Sequence, residues 1–126
     1  MAFPGRLVAF APSTDLDVSA MFYVDTLGLT LTERTPFALV VDGGNGVELR
    51  ITLVQSKADT GYTVLGWQMD DLDAAVEELR SKGVEFSQYP GLDQDEHDAW
   101  TGPDGTRIAW FRDPHANVLS LHQVPA

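Results

Sequence analysis

Ser120 and His122 stand two residues apart in the run Val118-Leu119-Ser120-Leu121-His122. In an extended chain residues i and i+2 point to one side, so both side chains share a face with Val118. Strand rise sets them about 6–7 Å apart, too far for a nucleophile to pass its proton directly to a base. The pair suits hydrogen bonding to a common ligand better than covalent catalysis. Glu48 and Arg50 alternate in the same way in Val47-Glu48-Leu49-Arg50-Ile51. Arg50 can hold a carboxylate and Glu48 an amine. Trp110 and Phe10 have the flat apolar surface that stacks on a planar ligand. Trp100 precedes Thr101-Gly102-Pro103-Asp104-Gly105 and is expected to close over such a site as a lid, with Gly102 and Gly105 giving that loop freedom.

Another chemistry-bearing stretch is LDQDEHDAW, residues 92–100, which sets His97 among Asp93, Asp95, Glu96 and Asp98. It is the richest local cluster of oxygen and nitrogen donors in the chain. A calcium loop needs a glycine at its sharp turn and a distal glutamate, and this stretch matches neither. Its plain reading is a solvated acidic loop. His115 falls in a hairpin and is expected to be exposed. No Gly-x-Ser-x-Gly elbow or phosphate-binding glycine loop occurs, and GGNG at 43–46 is a turn between strands with no helix after it. The chain has no cysteine, so thiolate chemistry and disulfides are absent.

These residues need elements to position them, and an internal repeat supplies the plan. Asp15-Leu16-Asp17 near the start of the first half matches Asp71-Leu72-Asp73 in the second. Leu16, Ala20, Tyr23, Val24 and Leu27 recur at helical spacing, as do Leu72, Ala75, Val76 and Leu79. Asp15 and Asp71 are placed to cap their helices, and Gly28 and Gly83 to end them. Strand-like segments precede the helices at 7–11 and 64–69. Others follow the first helix at 30–34, 37–41 and 47–54, and the second at 84–89, 107–111 and 118–123. Residues 42–46 and 113–117 are turns in corresponding places. Residues 55–62 form a polar linker. Each half therefore reads strand, helix, strand, strand, strand. The fold class is α+β, with two βαβββ modules.

Alternation then sorts the side chains. One set comprises Val8 and Phe10; Glu48, Arg50 and Thr52; Gly66 and Gln68; Ile108, Trp110 and Arg112; and Val118, Ser120 and His122. The opposite faces carry Leu49, Ile51, Leu53, Trp67, Met69, Phe111, Leu119 and Leu121, which are expected to pack on the helices. Mixed aromatic and polar composition of the first set is the chemistry of a small-molecule pocket. The chain's net charge is −11, from 19 acidic and 8 basic residues, which opposes nucleic-acid binding and favours a cationic ligand. No apolar run has the length of a membrane helix, and the first residues lack a leader pattern, so the expected compartment is the cytoplasm.

The stretches DLDVSAMFYVDTLGL and IAWFRDPHANVLSL resemble the vicinal oxygen chelate superfamily, which includes glyoxalase I, extradiol dioxygenases and the bleomycin-resistance proteins. The resemblance lies in Phe-Tyr ahead of Leu-Gly-Leu and in the closing Asp-Pro hairpin. Ala116 stands where glycine is usual, and Asn117 is expected to keep the left-handed turn. The resemblance implies one domain over 1–126, with modules at about 1–56 and 62–126. It implies curled mixed sheets around a cleft, and the modules can pair within the chain or across a dimer. In the family's metal enzymes four strands supply the ligands, commonly His, Gln or Glu. Those positions fall here on Val8, on Arg50 or Glu48, on Val64 and on Ser120. Valines cannot coordinate, and serine is a poor ligand for Zn, Fe or Ni. The expectation is therefore no metal, no cofactor and no catalytic residue. The candidate ligand-binding residues are Phe10, Glu48, Arg50, Gln68, Trp100, Trp110, Ser120 and His122. The reading is a metal-free small-molecule-binding protein, similar to drug-sequestering members, for an aromatic or cationic ligand. The resemblance implies a homodimer. The alternative is a lyase, isomerase or oxygenase with a displaced metal site, or acid–base catalysis by Glu48 or His122.

Overall fold

The computed structural model describes residues 3–126 and divides into two compact units between Ala58 and Asp59. In the first unit, strand β1 (Val8–Ser13) leads into helix α1 (Leu16–Ala20), followed by β2 (Thr30–Arg34), β3 (Ala38–Asp42) and β4 (Glu48–Leu53). In the second, β5 (Thr63–Gln68) leads into α2 (Leu72–Ser81), then β6 (Trp100–Thr101), β7 (Arg107–Arg112) and β8 (Val118–Gln123). The two sheets have matching orders, β1-β4-β3-β2 and β5-β8-β7-β6. In each, the first strand pairs in parallel with the last, and the remaining pairs are antiparallel. This is the repeated βαβββ plan, built as two open mixed sheets.

The helix starts follow from the capping aspartates. Asp15 Oδ1 accepts from the Asp17 and Val18 N–H groups at 3.0 and 3.3 Å, and Asp71 Oδ1 from Ala74 N–H at 3.0 Å. Gly28 and Gly83 take left-handed φ values of 76° and 91° after the helices, which a β-carbon would disfavour. The first helix departs from simple α spacing. Over Met21–Thr26 it widens into π geometry, with Leu27 N–H donating to Phe22 O at 2.8 Å, one residue further back than in an α-helix. Leu16 and Tyr23 are buried, and so is Ser19, whose hydroxyl donates to the buried Ser13 hydroxyl at 2.7 Å. In α2, Leu72 and Val76 are fully buried. Leu49 and Ile51 in the first unit and Phe111, Leu119 and Leu121 in the second form the buried faces of the sheets. Leu53, at the end of β4, is exposed instead of packed.

Two segments of the second unit differ from expectation. Residues 84–89 form no strand and make one bridge, Phe86 to Phe111. The reason is local. Gln94 Oε1 accepts from Tyr89 N–H at 2.8 Å and its Nε2 donates to Ser87 O at 2.9 Å, so a side-chain amide takes groups a ladder would use. Pro90 then ends any extension. Trp100 and Thr101 instead form the edge strand, pairing with Ile108 and Arg107. Trp100 therefore sits on an edge strand paired to β7, where the sequence predicts a loop carrying it as a lid. Its hairpin is closed by Gly102 N–H to Thr106 O at 2.8 Å and Gly105 N–H to Gly102 O at 3.0 Å, with Gly105 at φ 87° because the turn requires it.

The closing hairpin of the second unit is also specific. Asp113 Oδ1 accepts from the His115 and Asn117 N–H groups at 2.9 and 3.0 Å, and Asn117 Nδ2 donates to Asp113 Oδ2 at 2.7 Å. These bonds commit Asn117, and the left-handed residue is Ala116, at φ 63°. No helix among the described residues is long and apolar enough to cross a membrane.

Candidate functional site

Strand register places the second unit's candidate residues in lateral rows. Trp110 lies opposite Ser120, and Ser120 beside Gly66. In the adjacent row Trp100 lies opposite Ile108, Ile108 opposite His122, and His122 beside Gln68. Because these positions alternate with the buried Ala109, Phe111, Leu119 and Leu121, they occupy the face turned away from that core. Trp100, Trp110 and His122 are half-buried, Gln68 is exposed and Ser120 is buried.

The aromatic groups on this face touch one another. The Trp100 and Trp110 rings lie 6.5 Å apart between centroids with their planes tilted 31°. A flat molecule sandwiched between two rings needs about 7 Å between their planes, from two van der Waals contacts of ~3.5 Å. A planar ligand would therefore stack on an outer surface of this pair, not between its members. Tyr89 meets Trp110 edge-on at 5.4 Å, a 90° arrangement favoured by the ring quadrupoles. Tyr89 is absent from the candidate set: the sequence reads 84–89 as a strand but alternation assigns no face to its residues, and in the structure the segment forms no strand. The Phe86–Phe111 bridge and the Ser87 N–H to Trp110 O bond at 2.7 Å bring its segment to β7, and the Gln94 bonds hold it in shape.

Ser120 depends on its neighbour. A β-carbon placed on Gly66 would lie 2.7 Å from Ser120 Oγ, inside contact distance. Glycine at 66 thus leaves room for the hydroxyl where it stands.

The first unit has its own set. Phe10 lies beside Arg50, and Val8 beside Glu48, on neighbouring strands β1 and β4. Phe10 is 60% exposed, unusual for a large apolar side chain. Arg50 and Glu48 are half-buried and face each other at 3.6 Å. The arginine needed for an anionic ligand and the carboxylate needed for a cationic one thus partly neutralise each other.

The family's ligand positions do not fit a divalent metal. Val8 and Val64 have no donor atom, Glu48 is paired with Arg50, and Ser120 offers only a neutral hydroxyl. Nor does the 93–98 loop gather its donors for a cation. Asp95 Oδ2 accepts from Arg107 at 2.9 Å, and Asp98 Oδ2 from Arg80 at 2.6 Å. His97 lies 3.3 Å from both Asp73 and Glu77 of α2. Among the described residues no group of three or more His, Asp or Glu side chains has the geometry to hold a metal ion. Partial burial pushes the Asp95 carboxyl up, but the Ala99 and His97 N–H groups and the Arg107 guanidinium outweigh it and hold it below the usual carboxylate range. Bonding to Asp73 and Asp95 raises Arg107 in turn, and bonding to Asp98 raises Arg80. The loop is an ion-pair clamp across α2 and β7, immediately before Trp100.

The sequence model of the glyoxalase/bleomycin resistance protein/dioxygenase superfamily matches residues 7–120. The chain belongs to this superfamily. No curated protein matches it. Among solved structures, this superfamily member is similar to a bleomycin resistance determinant encoded on the transposon Tn5, at 22% identity over 97% of this chain and 99% of that one, TM-score 0.74. It is similar to a bleomycin-binding protein complexed with bleomycin, at 22% identity over 96% and 99%, TM-score 0.71. A genomically encoded fosfomycin resistance protein, FosX, from Listeria monocytogenes is 15% identical over 98% and 96%, TM-score 0.75. At such identities the likeness carries the vicinal oxygen chelate fold and leaves activity to the site's own chemistry.

Proposed function

We propose that this superfamily member is a metal-free binding protein for a planar small molecule and binds it without turnover. The observation that carries the reading is the face of β6, β7 and β8, where Trp100 and Trp110 present stacking surface beside Ser120, His122 and Gln68. The valines at positions 8 and 64 support the second half of the reading, since a metal that would activate a substrate has no ligand set to hold it. A protein of the same fold in complex with bleomycin supports the class of function. Phe10 and Arg50 offer aromatic and polar groups of the same character on β1 and β4. The working protein is a homodimer in the cytoplasm.

A thermal-shift panel of aromatic natural products tests this. A true ligand at 100 times its Kd stabilises the native state by about 2.7 kcal/mol. The compound recovered afterwards should be chemically unchanged. A panel without a single saturable shift, or conversion abolished by Glu48→Gln or His122→Ala, contradicts the proposal.

A further inference from the structure

The β6–β7 hairpin carries a hollow of about 430 Å³ lined by Trp100, Gly102, Pro103, Asp104, Thr106 and Ile108. Trp100, Pro103 and Ile108 supply apolar surface. Asp104 is the only charged group in the lining, and among the described residues no cation engages it. Its carboxylate is oriented by Thr106, whose backbone N–H donates to Oδ1 at 2.9 Å and whose hydroxyl donates to Oδ2 at 3.1 Å. Those same two bonds hold the Asp104 carboxyl below the usual carboxylate range, so it stays ionised in mildly acidic solution. A carboxylate has about four acceptor positions, so two bonds leave it capacity for another donor.

Gly102 stands between the ring and the carboxylate. A β-carbon there would lie 3.4 Å from Trp100 Cζ3 and Cη2 and also 3.4 Å from Asp104 Oδ1. Any larger residue would fill the space that a ligand touching both must enter. The two backbone bonds across the hairpin make this wall preformed.

We propose that this hollow is a subsite for an organic monocation, whose apolar body lies on Trp100, Ile108 and Pro103 and whose ammonium or guanidinium reaches Asp104. The inference rests on reading the Trp100 face as ligand-binding, and adds to it the residue that selects the ligand's charge. Charge complementarity supports it: the lining holds one anion and no cation, within a chain of net charge −11.

The test uses the full chain, nuclear magnetic resonance of the tryptophan indole and Thr106 amide signals, and three probes of similar shape: phenethylammonium, phenethyl alcohol and phenylacetate. The expected order of affinity is ammonium, then alcohol, then carboxylate, with shifts at Trp100 and Thr106. Asp104→Asn keeps an oxygen acceptor for the Thr106 N–H. It should weaken phenethylammonium by about two- to fivefold, the scale of an exposed ion pair, and leave the alcohol unchanged. Glu33→Gln, which removes the same charge from β2, should have a smaller effect. Equal effects of the two variants would mean that the whole-chain field, not Asp104, selects cations, and would overturn the subsite. An unchanged ratio of ammonium to alcohol in Asp104→Asn would overturn it too. In either case alcohol-induced shifts at Trp100 and Trp110 would leave the binding face standing. Absence of any shift at both tryptophans would remove the face and the subsite together.

Discussion

Gly66 and Ser120 show how much of the face rests on single side chains. With Oγ 2.7 Å from where a Gly66 β-carbon would stand, Gly66→Ala must turn the hydroxyl aside. A cost of about 1 kcal/mol is expected, at the low end for overpacking because serine can rotate. Ser120→Ala in the same chain should remove most of it, and urea unfolding of the two single variants and the double variant measures the coupling. Trp110→Ala should weaken a planar ligand by about 1–3 kcal/mol, as an aromatic anchor does, read by calorimetry. Ala116 bears a backbone conformation that costs a residue with a β-carbon about 1–2 kcal/mol. Ala116→Gly should stabilise the fold by somewhat less, about 1 kcal/mol, because glycine also loses more chain entropy. An unchanged or lowered urea midpoint would contradict that. The turn at 113–117 was legible in its residue types, but which residue takes positive φ was not. That is decided by Asn117's bonds to Asp113, which spacing does not reveal.

At the scale of elements, alternation, turn residues and the repeat identify seven of the eight strands among the described residues. The period is plainest in β4 and β7, whose burial alternates, whereas β3 and β8 are buried on both faces and β2 is exposed, so the repeat and the flanking turns place those. β6 was hidden: two residues have no period, and Trp100 joins β7 through a hairpin that glycines made resemble a loop. The segment at 84–89 misled in the opposite sense, since its pairing groups are taken by the Gln94 side chain. The π turn at Met21–Thr26 keeps Tyr23 buried while shifting the residues after it, a change of register invisible to helical spacing. The clamp at 93–99 predicts a pH dependence. Asp95 ionises below its usual range in the native state, so its contribution to stability is full at neutral pH and fades as pH falls through that range. Asp95→Asn should therefore be less stable than the parent at pH 7, with the gap closing below about pH 4. Urea midpoints across pH check it, and a gap independent of pH would contradict it.

For the whole molecule, edge strands bear on assembly. β1 and β2 border one sheet, and β5 and β6 the other. β2 carries a bulge between Leu31 and Glu33 and exposed charges, devices that discourage pairing, whereas β6 is too short to template a partner. The longer edges β1 and β5 are better suited to a second copy. The proposed homodimer should sediment well above the 13.8 kDa of one chain at micromolar concentration, and a single species at that mass would contradict it. The most direct test of the central claim uses the chain's three tryptophans. Trp100 and Trp110 lie on the proposed binding face, and Trp67 alternates to the other side of β5. With the indole nitrogens labelled, titration of an aromatic ligand chosen by thermal shift should move the Trp100 and Trp110 signals, leave Trp67 in place, and return the ligand's own resonances unaltered. Shifts confined to Trp67, or new resonances from a converted ligand, would contradict binding without turnover on this face.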